Sequence, residues 1–167
     1  DTMSALLASV LDVSKLDSGA LQPTLAAHSI GDVLNRLRYD FEPHAEAKGL
    51  TLMVEPTDEA GYTDAELLRR LLGNLVSNGL RYTDRGGVTI SCRRDCGSLL
   101  IAVADTGIGI PPSDLDRIFE EFYQVDRGPM RAEGLGLGLS IVRRLAQLLA
   151  HPLTVESEPG RGTVFTV

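Results

Sequence analysis

The stretch Arg70-Leu71-Leu72-Gly73-Asn74-Leu75-Val76-Ser77-Asn78-Gly79-Leu80-Arg81-Tyr82 limits what this chain can fold into more than any other. Leu68, Leu71, Leu72 and Leu75 recur at helical spacing and mark one buried face. Asn74 and Asn78 are four residues apart and Arg81 follows by three, so these side chains share a second stripe. Asparagine is a middling helix former and costly to bury unpaired. Two in register on an apolar helix suggest a ligand that uses their oxygens, and a hard cation with a polyanion is the natural one. Magnesium takes few protein oxygens and leaves the rest to water and phosphate, while Arg81 supplies charge for the phosphate. The stretch by itself equally allows surface or cap-like asparagines.

At 167 residues the chain suits one domain, with room for a short attached segment, and is long enough to bury a core. A formal charge of -7 argues against non-specific nucleic-acid binding, so a phosphate ligand must be held by local cations, a metal or backbone amides. No apolar run reaches membrane-spanning length, and no start of signal-peptide type is present; direct membrane contact is not expected and a cytoplasmic location is. Cys92 and Cys96 lack a second pair to complete a zinc site and read as reduced thiols.

Residues 1–17 carry an apolar helical stripe through Met3, Leu6, Leu7, Val10 and Leu16, which begins without a cap and reads as the inside of a longer helix. A connector follows, with Pro23 and a short strand at Leu25-Ala26. Ser29 with Asp32 opens a helix through Val33, Leu34, Leu37 and Phe41, where Pro43 is a candidate kink. Residues 50–54 form a strand, with Gly61-Tyr62-Thr63 able to pair as a second; Asp64 then caps the asparagine helix, which ends near Tyr82-Thr83. Residues 88–94 and 99–105 alternate as a hairpin. A short helix at Pro111-Pro112-Ser113 leads to Phe119 and Phe122; the polar residues 124–133 read as a mobile loop and lid candidate. A helix over residues 139–149 and strands at 153–155 and 163–167 close the chain.

Two further segments carry chemistry. Gly134-Leu135-Gly136-Leu137-Gly138 precedes a helix, where free amides and the dipole favour phosphate; it lacks the Lys-Ser/Thr of a P-loop and the preceding strand of a dinucleotide fingerprint. Asp105 ends a strand ahead of Gly107 and Gly109, so its carboxylate belongs at a pocket floor, accepting from an exocyclic amine, or else caps the turn at Thr106-Gly107.

The order of these motifs, asparagine helix, Asp-x-Gly-x-Gly, Phe-x-x-Phe, lid, Gly-x-Gly-x-Gly and Gly-x-Gly-Thr-x-Phe, closely resembles the ATP-binding catalytic domain of bacterial sensor histidine kinases, from about Ser29 to the C-terminus. The resemblance implies the Bergerat fold shared with type II topoisomerases, Hsp90 chaperones and MutL proteins. This is an α/β (α+β sandwich) architecture, a mixed sheet with helices on one face and a mobile ATP lid. It implies ATP and magnesium as cofactors. Asn78 would be the principal magnesium ligand and Asn74 would support metal and phosphates; Arg81 stands where lysine is common, and Tyr82 matches the usual aromatic. Asp105 would bind the adenine amine, with Gly107 and Gly109 making room and Ile110 against the base. Phe119 and Phe122 match the aromatic pair anchoring the lid. Gly134, Gly136 and Gly138 would line the triphosphate, Leu139 would lie beneath the adenine, Thr163 would reach it through water, and Arg127 or Arg131 would touch the terminal phosphate.

Two departures stand out. Leu135 replaces a usual threonine or similar polar residue, so one phosphate contact must come from amides or lid arginines. None of His28, His44 and His151 is followed by an acidic residue, as the family's phosphoacceptor is. By resemblance, residues 1–18 are the end of the dimerisation and phosphoacceptor helix hairpin and residues 19–167 the catalytic domain. The implied activity is transfer of the γ-phosphoryl group to a histidine on an upstream segment, the chain alone not being competent for autophosphorylation. The implied partners are that dimerisation domain and a response regulator or receiver domain, with a homodimeric parent and this chain by itself a monomer. The alternatives are a Bergerat ATPase, disfavoured because those relatives carry a basic glutamate where Asn74 stands, and a degenerate nucleotide-binding or scaffold module.

Overall fold

The computed structural model describes residues 21–125 and 136–167. The helix expected at residues 1–17 and most of the expected lid lie outside them. The element order is β1 (Ala26–Ser29), α1 (Ile30–Ala47), β2 (Thr51–Val54), β3 (Ala60–Thr63), α2 (Ala65–Tyr82), β4 (Gly87–Asp95), β5 (Ser98–Asp105), a 3-10 turn (Pro112–Asp114), α3 (Gly138–Leu148), β6 (Thr154–Glu158) and β7 (Gly162–Thr166).

Five strands form one mixed sheet in the order β2-β4-β5-β7-β6, parallel between β2 and β4 and antiparallel elsewhere. Strand alternation sends Val88, Ile90, Ile101, Val103 and Phe165 to one buried face; α1 and α2 pack on the sheet, α3 packs on α2, and the buried residues of all three helices share one core with that face. Residues pointing the other way, among them Thr89, Ala102 and Ala104, are half-buried, and Val164 is exposed. The expected layering, helices on one side of a mixed sheet, is therefore what forms.

Helix α2 lies at the centre. Asp64 caps it by accepting from the N–H groups of Glu66 and Leu67, both at 3.0 Å. Its other carboxylate oxygen accepts from Thr24 N at 2.8 Å, fastening the incoming chain to the same helix. Burial pushes the Asp64 carboxyl up, but the N–H groups of Leu67, Thr24 and Glu66 outweigh this and hold it below its ordinary value. Leu67, Leu68, Leu71, Leu72, Leu75, Val76, Gly79 and Leu80 are buried, so α2 is apolar over much of its circumference and sits between sheet and neighbouring helices. At its far end the Lys48 ammonium donates to Leu80 O at 2.7 Å and to Arg81 O at 3.3 Å, satisfying carbonyls that a helix end leaves open.

Several local expectations are corrected. The first strand runs over Ala26–Ser29 rather than Leu25-Ala26, because the extended Ser29 that caps α1 continues it. The strand around Gly61 pairs with β1 in a separate two-stranded antiparallel sheet, not with β2, whose ladder goes to β4. Pro43 does not interrupt α1, which runs unbroken over 18 residues. The helix expected near Pro111 is a single 3-10 turn, followed by irregular turns through Phe122.

Candidate nucleotide site

The site is assembled where the C-terminal half of α2, the end of β5 and the start of α3 meet. Asn74 and Asn78 are half-buried on the side of α2 that faces α3. Asn74 donates its amide nitrogen to Arg70 O at 2.9 Å, which leaves Oδ1 to the site. A Cβ added at Gly138, the first residue of α3, would lie 3.4 Å and 3.5 Å from the Asn78 amide nitrogen and oxygen and 3.7 Å from Asn74 Oδ1. The two asparagines and the free N–H groups of α3 thus form one cradle, which a side chain at Gly138 would fill. Amide oxygens facing helix-terminal N–H groups suit a hard cation with its phosphates. Arg81, on the last turn of α2, is exposed, and Tyr82 is half-buried.

The other end of the site is the floor around Asp105. Strand register sets Asp105 between Val88 on β4 and Thr163 on β7. Its Oδ1 accepts from Gly107 N at 2.9 Å and Thr163 N at 3.3 Å. Asp105 therefore caps the turn through Oδ1 alone, and Oδ2 takes no part in either bond. Burial raises the Asp105 carboxyl above its ordinary value, a rise that the N–H groups of Gly107 and Thr163 only partly offset. Gly79, next to Asn78, lets the floor reach the helix: a Cβ there would come within 3.3 Å of Asp105 Cβ and 2.8 Å of Val88 Cγ2.

The loop after Asp105 is pinned on both sides. Thr106 Oγ1 donates to Arg85 O at 3.0 Å and accepts from Gly87 N at 3.0 Å. Ile108 N donates to Tyr82 O at 3.2 Å, and Ile108 O accepts from Gly160 N at 2.8 Å. Gly109 has φ +67, and a Cβ there would fall 2.1 Å from Glu158 O, so no other residue fits against the β6-β7 turn. Ile110 is half-buried, with its N–H on Ser157 Oγ at 2.7 Å. Leu139 is half-buried against the core and Thr163 is buried.

Not every expected residue converges. Phe119 turns inward, edge-on to Phe165 with ring centroids 6.4 Å apart. Phe122 does not: it adopts φ +60, the residue is 65% exposed, and its backbone N–H donates to Gly136 O at 3.1 Å. Gly136, at φ +69, lies against the backbone of Phe122 and Tyr123. Arg127, Arg131, Gly134 and Leu135 lie outside the described residues. Sequence reasoning missed Ser157 and Lys48. Ser157 sits on the inward side of β6, a polar residue where alternation expects an apolar one, which is the signal that could have found it. The Lys48 contact depends on tertiary placement and leaves no trace in local pattern.

A one-faced mixed sheet, an asparagine-bearing helix and a carboxylate at a glycine-lined floor define a nucleotide-binding domain. Residues 63–167 match the family of histidine kinase-, DNA gyrase B-, and HSP90-like ATPases, and the chain belongs to it. Within that family it is similar to sensor histidine kinases. It is 36% identical over 172 residues to the aerobic respiration control sensor protein ArcB of Escherichia coli, across 99% of this chain and 22% of ArcB. It is 35% identical over 166 residues to the Escherichia coli sensor histidine kinase RcsC, across 97% of this chain and 18% of RcsC. The chain thus spans about a fifth of the length of these relatives. Full-length ShkA, solved in complex with AMPPNP, superposes with a TM-score of 0.84 at 32% identity, over 97% of this chain and 34% of ShkA.

Proposed function

We infer that this domain binds ATP with magnesium and presents the γ-phosphoryl group to a histidine carried on a separate helical segment, as the catalytic domain of a cytoplasmic two-component sensor kinase. The observation that carries this reading is the cradle between Asn74, Asn78 and the start of α3, continuous through Gly79 with the Asp105 floor. Asp105 Oδ2 accepts the adenine amine, with Gly107, Gly109, Ile110, Leu139 and Thr163 around the base and Tyr82 beside it. The α3 amides, including that of Gly138, and Arg81 hold the phosphates, joined by Gly134, Gly136 and Arg127 or Arg131. Asn78, supported by Asn74, would hold magnesium, which neutralises phosphate charge when bound. Transfer breaks the bond from the γ-phosphorus to the β-γ bridging oxygen and forms one to an imidazole nitrogen. ADP leaves, and the imidazole proton goes to a base on the acceptor helix. The domain's part is positioning and charge neutralisation.

Hydrolysis is the lesser reading. Asn74 cannot take up a proton, and its amide nitrogen is engaged by Arg70 O. In this scheme residues 1–18 end the dimerisation hairpin and residues 19–167 form the catalytic domain, which meets a response regulator or receiver domain only in the parent homodimer. The test is calorimetric titration with a non-hydrolysable ATP analogue, with and without magnesium, alongside phosphate release from ATP. Magnesium-dependent binding with negligible release, and phosphohistidine on an added fragment bearing an acceptor hairpin, is the expected result. Brisk release points to an ATPase, and no binding to a scaffold module.

A further inference from the structure

Helices α1 and α2 run in the same direction and end side by side. Asp40 on α1 pairs with Arg69 on α2 at 2.9 Å, and the Phe41 ring lies against Gly73, where an added Cβ would be 3.4 Å from it. Further on, Lys48 meets the carbonyls of Leu80 and Arg81. The contacts advance together along both helices, so both direct the negative ends of their macrodipoles to one place. That place adjoins the phosphate part of the site, since Arg81 stands on the last turn of α2 and Asn78 just before it. A polyanion there is favoured by the N–H groups at the start of α3 and opposed by the carbonyl end of α2.

Lys48 occupies this junction. Its backbone closes α1, with its N–H on Ala45 O at 3.1 Å and the N–H of the left-handed Gly49 on Glu46 O at 2.9 Å. With the backbone so fixed, the side chain crosses to α2. The ammonium donates to Leu80 O at 2.7 Å and to Arg81 O at 3.3 Å, while the next carbonyl, that of Tyr82, accepts from Ile108 N at 3.2 Å. Lys48 therefore brings a full positive charge to the carbonyl end of the helix that bears both asparagines. An uncharged donor would satisfy the same oxygens and leave the dipole uncancelled.

We propose that Lys48 is a positioning residue for the polyphosphate: acting through the last turn of α2, it cancels the negative helix end beside Asn78 and Arg81 so that this side of the cradle accepts a triphosphate. This rests on the nucleotide reading above. The role needs no contact between Lys48 and the phosphates, which separates it from that of Arg81.

The experiment measures binding of adenosine, ADP and a non-hydrolysable ATP analogue to wild type, Lys48→Met, Lys48→Gln and Lys48→Arg, by competition calorimetry with magnesium at low salt. Glutamine keeps an N–H donor without the charge, and arginine keeps the charge. Both neutral variants should bind adenosine as wild type does and the triphosphate roughly two- to fivefold more weakly, with ADP between, the range for one charge at a helix end. The loss should shrink at high salt, and Lys48→Arg should retain wild-type discrimination. A cap that is only structural would instead weaken all three ligands equally and be rescued by glutamine. Equal losses, or undiminished triphosphate affinity in folded Lys48→Gln, overturn the proposal, and so does failure of both neutral variants to fold. If wild type itself binds the triphosphate no better than adenosine, the phosphate cradle has failed; if it binds neither, the nucleotide reading has.

Discussion

Asp105→Asn separates the carboxylate's two duties. The two N–H groups it accepts, from Gly107 and Thr163, both meet Oδ1, so an asparagine with its oxygen there keeps both bonds. The change falls on the other atom, where an NH₂ donor replaces Oδ2. In the free protein the substitution should be neutral or stabilising. A carboxyl whose folded pKa is raised above its unfolded value favours folding at low pH and loses that contribution as pH rises through the folded value, so at neutral pH its charge is a cost that the amide removes. With ATP the sign reverses. A charge-assisted hydrogen bond contributes about 1.5–3 kcal/mol, and its loss is a decrease in affinity of roughly 12- to 160-fold.

Calorimetry at neutral pH, paired with a thermal melt, measures both. The same pair of proteins predicts a base switch: the new donor faces the adenine amine but suits a 6-oxo group, so inosine triphosphate should gain on ATP. It also predicts a pH effect. Wild-type affinity for ATP should rise with pH through the raised folded pKa of Asp105 and then level off, and the wild-type minus mutant difference should isolate this from titration of the nucleotide. Undiminished ATP affinity in a folded Asp105→Asn protein would refute the assignment.

Gly138→Ala places a methyl at ordinary contact distance from both asparagines and gains helix propensity. Its melting temperature should hold or rise while ATP affinity falls at least tenfold, about 1.4 kcal/mol, as read by thermal shift and calorimetry. Asn78→Ala should abolish the magnesium dependence of nucleotide binding, checked by titrating with and without the metal; a retained magnesium effect means the cation lies elsewhere. Asp64→Ala should cost about 1–2 kcal/mol in urea unfolding at neutral pH through loss of the α2 cap. Because the folded pKa of Asp64 is depressed, its contribution is present above the unfolded value and lost as pH falls through the folded one, so wild type and mutant should converge in acid.

What was legible in the sequence follows from the range of the interactions. The α2 stripe, the Asp64 cap and the β4-β5 hairpin depend on residues near one another in sequence, and each formed where local spacing predicted. The failures lie where a partner comes from afar. β1 and β3 pair across the intervening α1 and β2, and nothing in either strand names the other. Phe122 matched an aromatic motif, yet a left-handed backbone at that residue turns its ring outward while its N–H closes on Gly136.

The same distinction explains why the floor of the site was only half read. Asp105 and its glycines are a contiguous signal. Ser157 reaches Ile110 across 47 residues, and its effect, leaving Thr163 without a proton to give, arises only after β6 and β7 fold back beside β5. A sequence motif therefore records which residues are neighbours along the chain, but the direction of each hydroxyl proton is set by the partners that folding brings to it.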